Sequence, residues 1–317
     1  MLLTGAFRDR REDEIVKTAI AAEPWPTLPL ASWNDTRATL HMWMQVVGKI
    51  SLKLTPRTNH FWNIAFHFTP RGLSTLPMIA GDQTLTIAFD FVDHQLVFQL
   101  SDGRTRSNPL RPQTVADFYR ETMATLADLG VSARIWPMPV EIPDPIRFDQ
   151  DTVHRSYDPV PVGTFWRILL TIKPIFDSFR CRFVGKCSPV HFFWGSMDLA
   201  VTRFSGRRAP ERPEADAVTR ESYSHEVISH GFWAGSGAVG EPAFYGYAAP
   251  EPPGFREAKI LPVEAVSYNK DFSIFILPYE WVRRSERPAE QVSTFLDSTY
   301  EVAAPLMGWD RAELERR

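Results

Sequence analysis

The chain has only two cysteines, Cys181 and Cys187, in 317 residues. Two thiols make neither a disulfide framework nor a four-cysteine zinc site, so free thiols in a reducing cytosol are expected. Charge of one sign is scarce as well. A formal net charge of -3 gives no general basic surface for nucleic acid or anionic lipid. Long apolar runs are missing too. After Met1-Leu2-Leu3 the sequence turns to charge from Arg8 to Glu14, which leaves no signal-peptide core. No stretch approaches the roughly 18 apolar residues of a membrane span. The expectation is a cytoplasmic protein with neither nucleic-acid nor membrane partners.

Familiar catalytic signatures are also lacking. Gly235-Ser236-Gly237 is followed by neither lysine nor a helix pattern, so no phosphate loop is present. Gly195-Ser196 lacks the second glycine of a nucleophile elbow. His225 and His230 stand five apart rather than four. That spacing puts them about 140° apart around a helix, or on opposite faces of a strand, and not together on a zinc-protease helix.

What is present is an ordinary globular balance, 44% hydrophobic and 23% charged, with 22 Phe and 10 Trp. Such aromatics fill large sheet faces or line a pocket. Residues 11–22 read as a short charged helix. Asn34 and Asp35 offer N-caps for a helix to about Lys49. Leu40, Trp43, Met44 and Val47 form one stripe of it, and His41, Gln45 and Lys49 the next. Strands are expected at 50–54, 60–68, 85–91 and 96–100, the last two joined by a turn at Asp93-His94. Pro112 opens a helix carrying Val115, Phe118, Thr122, Leu126 and Leu129, which Gly130 closes.

Prolines at 137, 139, 143, 145, 159 and 161 exclude helix and interior strand, leaving an extended linker over 136–161. Beyond it the order returns. A helix spans 164–179 and bends at Pro174. Strands are expected at 180–184, 190–203, 224–233, 243–248 and 272–277. A last helix from Pro288 turns Val292, Phe295, Leu296, Thr299 and Ala303 inward. The polar segment 207–222 reads as a surface loop or lid.

The expected fold is therefore α+β, antiparallel sheet packed with helices, in two pseudo-repeats of helix, four strands and helix. The halves are 24–135 and 162–317, within one unit spanning 1–317. His60-Phe61-Trp62 and His191-Phe192-Phe193-Trp194, each after a helix and a strand, carry the repeat. This order resembles TATA-box-binding-like or helix-grip architectures, a likeness of fold that says nothing of function.

Longer segments carry a second resemblance: TLHMWMQVVGKISL, NHFWN, SPVHFFWGSMDLAVTRFSGR, YSHEVISHGFW and LPYEWVR, within a stretch running from WPTLP to GWDRAELE. They resemble a bacterial family of uncharacterised proteins known as a domain of unknown function. The resemblance implies a single full-length unit and transfers no activity.

For chemistry the strand from His191 stands out. Simple alternation puts Trp194, Ser196, Asp198 and Thr202 on one face. His191 and Arg203 fall on the apolar face unless a bulge at Gly195 swaps the register. His191, Asp198, His225 and Glu226 are the candidate catalytic residues, for acid–base or metal-assisted hydrolytic work on a small molecule in a cleft between the halves. Asn59, His60, Arg71, Trp194 and Arg203 are the candidate ligand-binding residues, the arginines for a carboxylate or phosphate. A non-catalytic protein binding an apolar or aromatic ligand, or a peptide, is the alternative. Metal, cofactor and oligomeric state are left unassigned.

Overall fold

One helix, α1 (Asn34–Leu54), organises the first half of the computed structural model, which describes residues 23–236 and 239–316. The helix expected over 11–22 lies outside the described residues. Neither Asn34 nor Asp35 caps α1 as expected: both lie inside its first turn, Trp33 takes the cap position without a side-chain bond, and Asp35 complements the dipole. It then runs through 50–54, where a strand was expected. Gly48 does not break it, because Gly48 marks a close approach: a Cβ there would fall inside the Trp194 ring. Both stripes are buried, including His41, Gln45 and Lys49, so α1 is a central helix rather than a surface one.

The strand expected over 60–68 is also corrected. Asn59–Ile64 is a 3₁₀ segment in which His60 and Phe61 take φ of 57° and 56°. Left-handed backbone at two successive non-glycine residues stops strand pairing, and only His67–Phe68 remains as β1. β2 (Gly72–Ser74), β3 (Met78–Ala80), β4 (Gln83–Asp90), β5 (Gln95–Leu100) and β6 (Thr105–Pro109) complete an antiparallel sheet. Its order is β1-β2-β4-β5-β6, with β3 also on β4. Leu85, Ile87 and Phe89 of β4 and Leu96, Phe98 and Leu100 of β5 share one buried face. On the helical side lie α1 and α2 (Val115–Asp128). α2 begins after the Thr114 cap, two residues beyond Pro112, and ends before Gly130 at φ 77°.

The second half opens with α3 (Pro159–Cys181), which contains Pro174 and runs into the strand expected at 180–184. β7 (His191–Phe193), β8 (Asp198–Arg208), β9 (His225–Trp233), β10 (Ala243–Ala249), β11 (Ser267–Asn269) and β12 (Ile274–Pro278) follow. They pair as β7-β8-β9-β10-β12-β11. Among the described residues each half therefore holds six strands, not four, and the two sheets are connected differently. The helix α4 (Ala217–Ser222) interrupts β8 and β9, and α5 (Tyr279–Arg284), α6 (Pro288–Leu306) and α7 (Arg311–Leu314) close the chain. α3 and α6 pack on the face carrying Leu199, Ile228, Phe232, Phe244 and Leu277. Val292, Phe295, Leu296, Thr299 and Ala303 of α6 are buried there as expected.

The sheets meet edge to edge. Phe66 and Phe192 exchange two N–H···O bonds of 2.8 Å, which sets β1 beside β7. The linker lies against the fold through Phe148, which is fully buried, and through hydrogen bonds from α1 described below. No helix among the described residues is long and apolar enough to cross a membrane.

Candidate functional site

The helices cover one face of the second sheet, and its other face is open. The alternation expected through 190–203 is broken by a turn at Trp194–Met197, where Met197 takes φ 58°. Phe193 then pairs with Asp198 and His191 with Ala200, so His191, Asp198 and Thr202 share the open face. Arg203 stays on the helical side. Phe193, Thr202, Trp233, Tyr245 and Tyr247 are half-buried on the open face, a mixed aromatic and polar wall.

One pole of this face is built from carboxyl groups. Asp198, only 6% exposed, accepts from Ser196 Oγ at 2.6 Å and from the Tyr245 hydroxyl. Tyr245 reaches it by lying across β9 at Gly231, where a Cβ would fall inside the Tyr245 ring. Tyr245 stacks on Tyr247 with ring centroids 6.1 Å apart. The Tyr247 hydroxyl meets that of Tyr223 at 3.0 Å, and Thr202 and Ser229 pair at 2.8 Å beside them.

Glu141 approaches this pole from the linker. Its backbone is left-handed, φ 57°, and its carboxyl lies against Gly195. The stripe of α1 read from the sequence holds both loops in place. His41 Nε2–H donates to the carbonyls of Trp194 and Gly195 at 3.0 and 2.8 Å, while Gln45 bonds Val140. Burial pushes the Glu141 carboxyl up to about 7, helped by the charges of Asp198 and Asp216. The residue as a whole is solvent-exposed, with its carboxyl on the side that meets Gly195. Burial also raises Asp198, against the hydrogen bonds from Ser196 and Tyr245 that favour its anion.

The other pole is built from imidazoles. His60 and His225 lie edge to face, centroids 5.8 Å apart. His60 is 4% exposed and bonds the Glu221 carbonyl through Nδ1 at 3.0 Å and Lys186 Nζ through Nε2 at 2.6 Å. The helix α4 therefore packs on the 3₁₀ segment at this pole. Asp216 acts on Glu141 near one pole, and Glu221 anchors the other.

Two surface hollows, of about 520 and 430 Å³, open elsewhere, the larger beside Arg111, Asp117 and Glu121 and the smaller beside Trp281 and Arg284. Neither is lined by a buried ionisable group, so the open face is the stronger candidate.

The segments that carried the family resemblance, from the His41–Gln45 stripe to the His191 hairpin and the His225 strand, build this one face. Over residues 25–316 the chain matches the family described as "Family of unknown function (DUF5996)". It belongs to that family. No curated protein and no solved structure matches it. The DUF5996 description carries no chemistry, so roles rest on geometry.

The geometry of this DUF5996 chain distributes the sequence candidates as follows. Asp198 and His191 share the open face but do not touch. His191, 1% exposed, sits at the seam between the sheets with His67 at 6.0 Å and Trp62 at 6.4 Å. Among the described residues neither of its ring nitrogens has a partner, and burial holds it neutral, down to about 3. Glu226 does not converge with Asp198. It accepts from Ser205, Arg207 and Trp309 Nε1 at 2.7–3.1 Å, fastening the C-terminal segment. Arg71 is an exposed turn residue paired with Asp90 and Asp93. Arg203 is buried on the helical side, its guanidinium 3.5 Å from the Phe179 ring centroid. Trp194 is buried over Gly48 and donates to the Ile64 carbonyl at 2.9 Å. Asn59 is exposed at the start of the 3₁₀ segment. Burial lifts the Cys187 thiol to about 11, so it is no thiolate nucleophile.

Sequence reasoning missed Glu141, Lys186, Glu221, Tyr245 and Tyr247. The tyrosines were legible, since Tyr245-Gly246-Tyr247 puts two phenols on one strand face. Nothing local marks Glu141, whose role depends on where a proline-rich linker is pinned.

Proposed function

We propose that the open face binds a small organic molecule and that Glu141 and Asp198 exchange a proton with it, as the acid–base pair of a small-molecule enzyme. One observation carries this reading: left-handed backbone at Glu141 and Met197 brings the Glu141 carboxyl against Gly195, in the turn that leads to buried Asp198, whose charge helps to raise it. Backbone strain of that kind persists where the surroundings enforce it, and it clusters at functional sites. Two carboxyl groups in unlike environments take unlike protonation states. Glu141, near 7, is present in both forms at neutral pH, which general acid–base work requires. Asp198 is fixed by Tyr245 and Ser196 and tunes its neighbour. Phe193, Trp233 and Tyr247 supply the apolar wall, and His191 an uncharged floor. Glu226, Arg71 and Arg203 have internal partners and receive no role. Among the described residues no three His, Cys, Asp or Glu side chains group to hold a metal ion, and the acid–base branch carries the proposal.

The test is a thermal-shift screen of small metabolites against wild type, Glu141→Gln and Asp198→Asn, with turnover of each hit followed by NMR. A hit converted by wild type, and still bound but not converted by Glu141→Gln, is expected. Hits converted equally by all three would overturn the site. The Tyr245–Tyr247 stack beside Trp233 favours a second reading, a non-catalytic module for a flat aromatic ligand. Hits bound by all three proteins and converted by none would favour it.

A further inference from the structure

Lys186 stands outside the carboxyl pole, on the edge of β8 beside Phe204. A half-buried lysine ordinarily meets a carboxylate. Here, among the described residues, Nζ meets the imidazole of His60 at 2.6 Å and lies over the rings of Phe204 and Trp62, 5.1 and 5.7 Å from their centroids. The nearest acid is engaged elsewhere, since the Glu221 carboxylate accepts from Arg57 at 3.1 Å and from the His60 N–H at 3.3 Å.

The tautomer of His60 follows from its neighbours. A carbonyl oxygen only accepts, so Nδ1, facing the Glu221 carbonyl at 3.0 Å, carries the proton. Nε2 then offers its lone pair to Lys186. Ser224 gives its one hydroxyl proton to that same carbonyl at 2.7 Å. It therefore accepts from His225 Nδ1 at 3.1 Å, which leaves His225 Nε2 free. His60 reaches this position only through two successive left-handed residues, a conformation that L-residues rarely adopt. Nucleophile, base and orienting acceptor stand in line, the arrangement that activates a weak nucleophile.

We propose that Lys186 is a nucleophilic amine that forms an imine with an aldehyde or ketone, with His60 as its base and the Glu221 carbonyl orienting His60. The ammonium gives one proton to His60 Nε2, and the freed lone pair attacks the carbonyl carbon. The C–N bond forms as the C=O π pair moves to oxygen. The nitrogen, now carrying two protons and a positive charge, passes one of them to that oxygen, giving a neutral carbinolamine whose nitrogen again has a lone pair. His60 returns its proton to the hydroxyl, which leaves as water while nitrogen closes the C=N bond. Burial lowers Lys186 against the opposing pull of Glu221, and burial and Lys186 lower His60. Lys186 and Arg208 both act on His225 against the Glu221 carboxylate. Since that carboxylate is already engaged by Arg57 and the His60 N–H, the two cations suit a carbonyl compound bearing a carboxylate.

The test is reductive trapping with glyoxylate and cyanoborohydride, mapped by peptide mass spectrometry, with propanal as the neutral comparison. Lys186 is expected to gain the carboxymethyl group at least tenfold faster than exposed Lys53, Lys259 and Lys270, a threshold set below the roughly 10²–10⁴ that general base help supplies. Glyoxylate should outpace propanal at Lys186 alone. His60→Gln should erase the advantage while the far-UV spectrum is unchanged. If that variant does not fold, the wild-type pH profile decides: Lys186 labelling should rise at lower pH than labelling of the exposed lysines. Labelling of Lys186 no faster than the others, or at their pH, or a rate surviving in folded His60→Gln, would overturn the proposal.

Discussion

Gln45 and Val140 hold each other as two strands would. The Val140 N–H donates to Gln45 Oε1 at 2.7 Å, and Gln45 Nε2 donates back to the Val140 carbonyl at 2.8 Å. This contact places Glu141, the next residue, against Gly195 in the turn before Asp198. Four residues earlier on the same helical stripe, His41 holds the loop before Asp198.

Gln45→Leu keeps the volume of the fully buried side chain and removes both bonds. A loss of about 1–3 kcal/mol is expected, read as a lower urea midpoint with an unchanged slope. In the same variant the Glu141 carboxyl, followed by carbon-13 NMR, should titrate below its wild-type position. A titration that does not move would show that the pairing does not position Glu141.

Gly231→Ala should displace Tyr245 from Asp198, because the new methyl occupies the space of the phenol ring. A cost of about 1–3 kcal/mol follows from overpacking alone. Tyr245→Phe keeps the ring and removes only the hydroxyl, costing about 0.5–1.5 kcal/mol for one hydrogen bond, more if the acceptor is charged. If the glycine variant proves milder than the phenylalanine variant, Tyr245 does not need the space over β9.

His230 is fully buried against Phe179 and Phe295, with neither ring nitrogen paired among the described residues. Burial, then the charge of Arg203, brings it down to about 3 from 6.5. A base depressed in the folded state is protonated first in the unfolded one. Its effect on stability is therefore absent above about pH 6.5 and destabilises the fold increasingly as pH falls toward 3. His230→Leu should gain on wild type below pH 6.5, approaching about 1.4 kcal/mol per pH unit, with a flat difference above pH 7. A difference independent of pH between 7 and 4 would refute this.

The exposed stretch Ala209–Asp216 has no regular structure and few internal bonds, features of segments that open locally. Endoproteinase Glu-C should cut first after Glu211 or Glu214, and ligand on the open face should slow the cut. First cleavage after Glu141 would instead mark the linker as the looser segment.

Helices and paired strands were legible where apolar spacing and punctuation agreed, as in β4, β5, α2 and α6. The sequence misled where backbone conformation rather than side-chain pattern decided. Nothing in Asn59-His60-Phe61-Trp62 announces two left-handed residues, and alternation through Trp194–Met197 hid a reversal that brought His191 to the open face. The site followed the same rule. Asp198 and the His41–Gln45 stripe stood out as polar groups in apolar surroundings, whereas Glu141 and Lys186 became partners only through chain segments far apart in sequence.

The seam at Phe66 and Phe192 also governs how the molecule behaves when divided. Each half uses the other to cover one sheet edge, while the outer edge strands, β6 and β11, are short, and β6 ends in Pro109. Unpaired strand edges recruit further strands. A half released by cleavage in the linker would expose β1 or β7 as a fresh template, so the intact chain serves as its own guard against self-assembly.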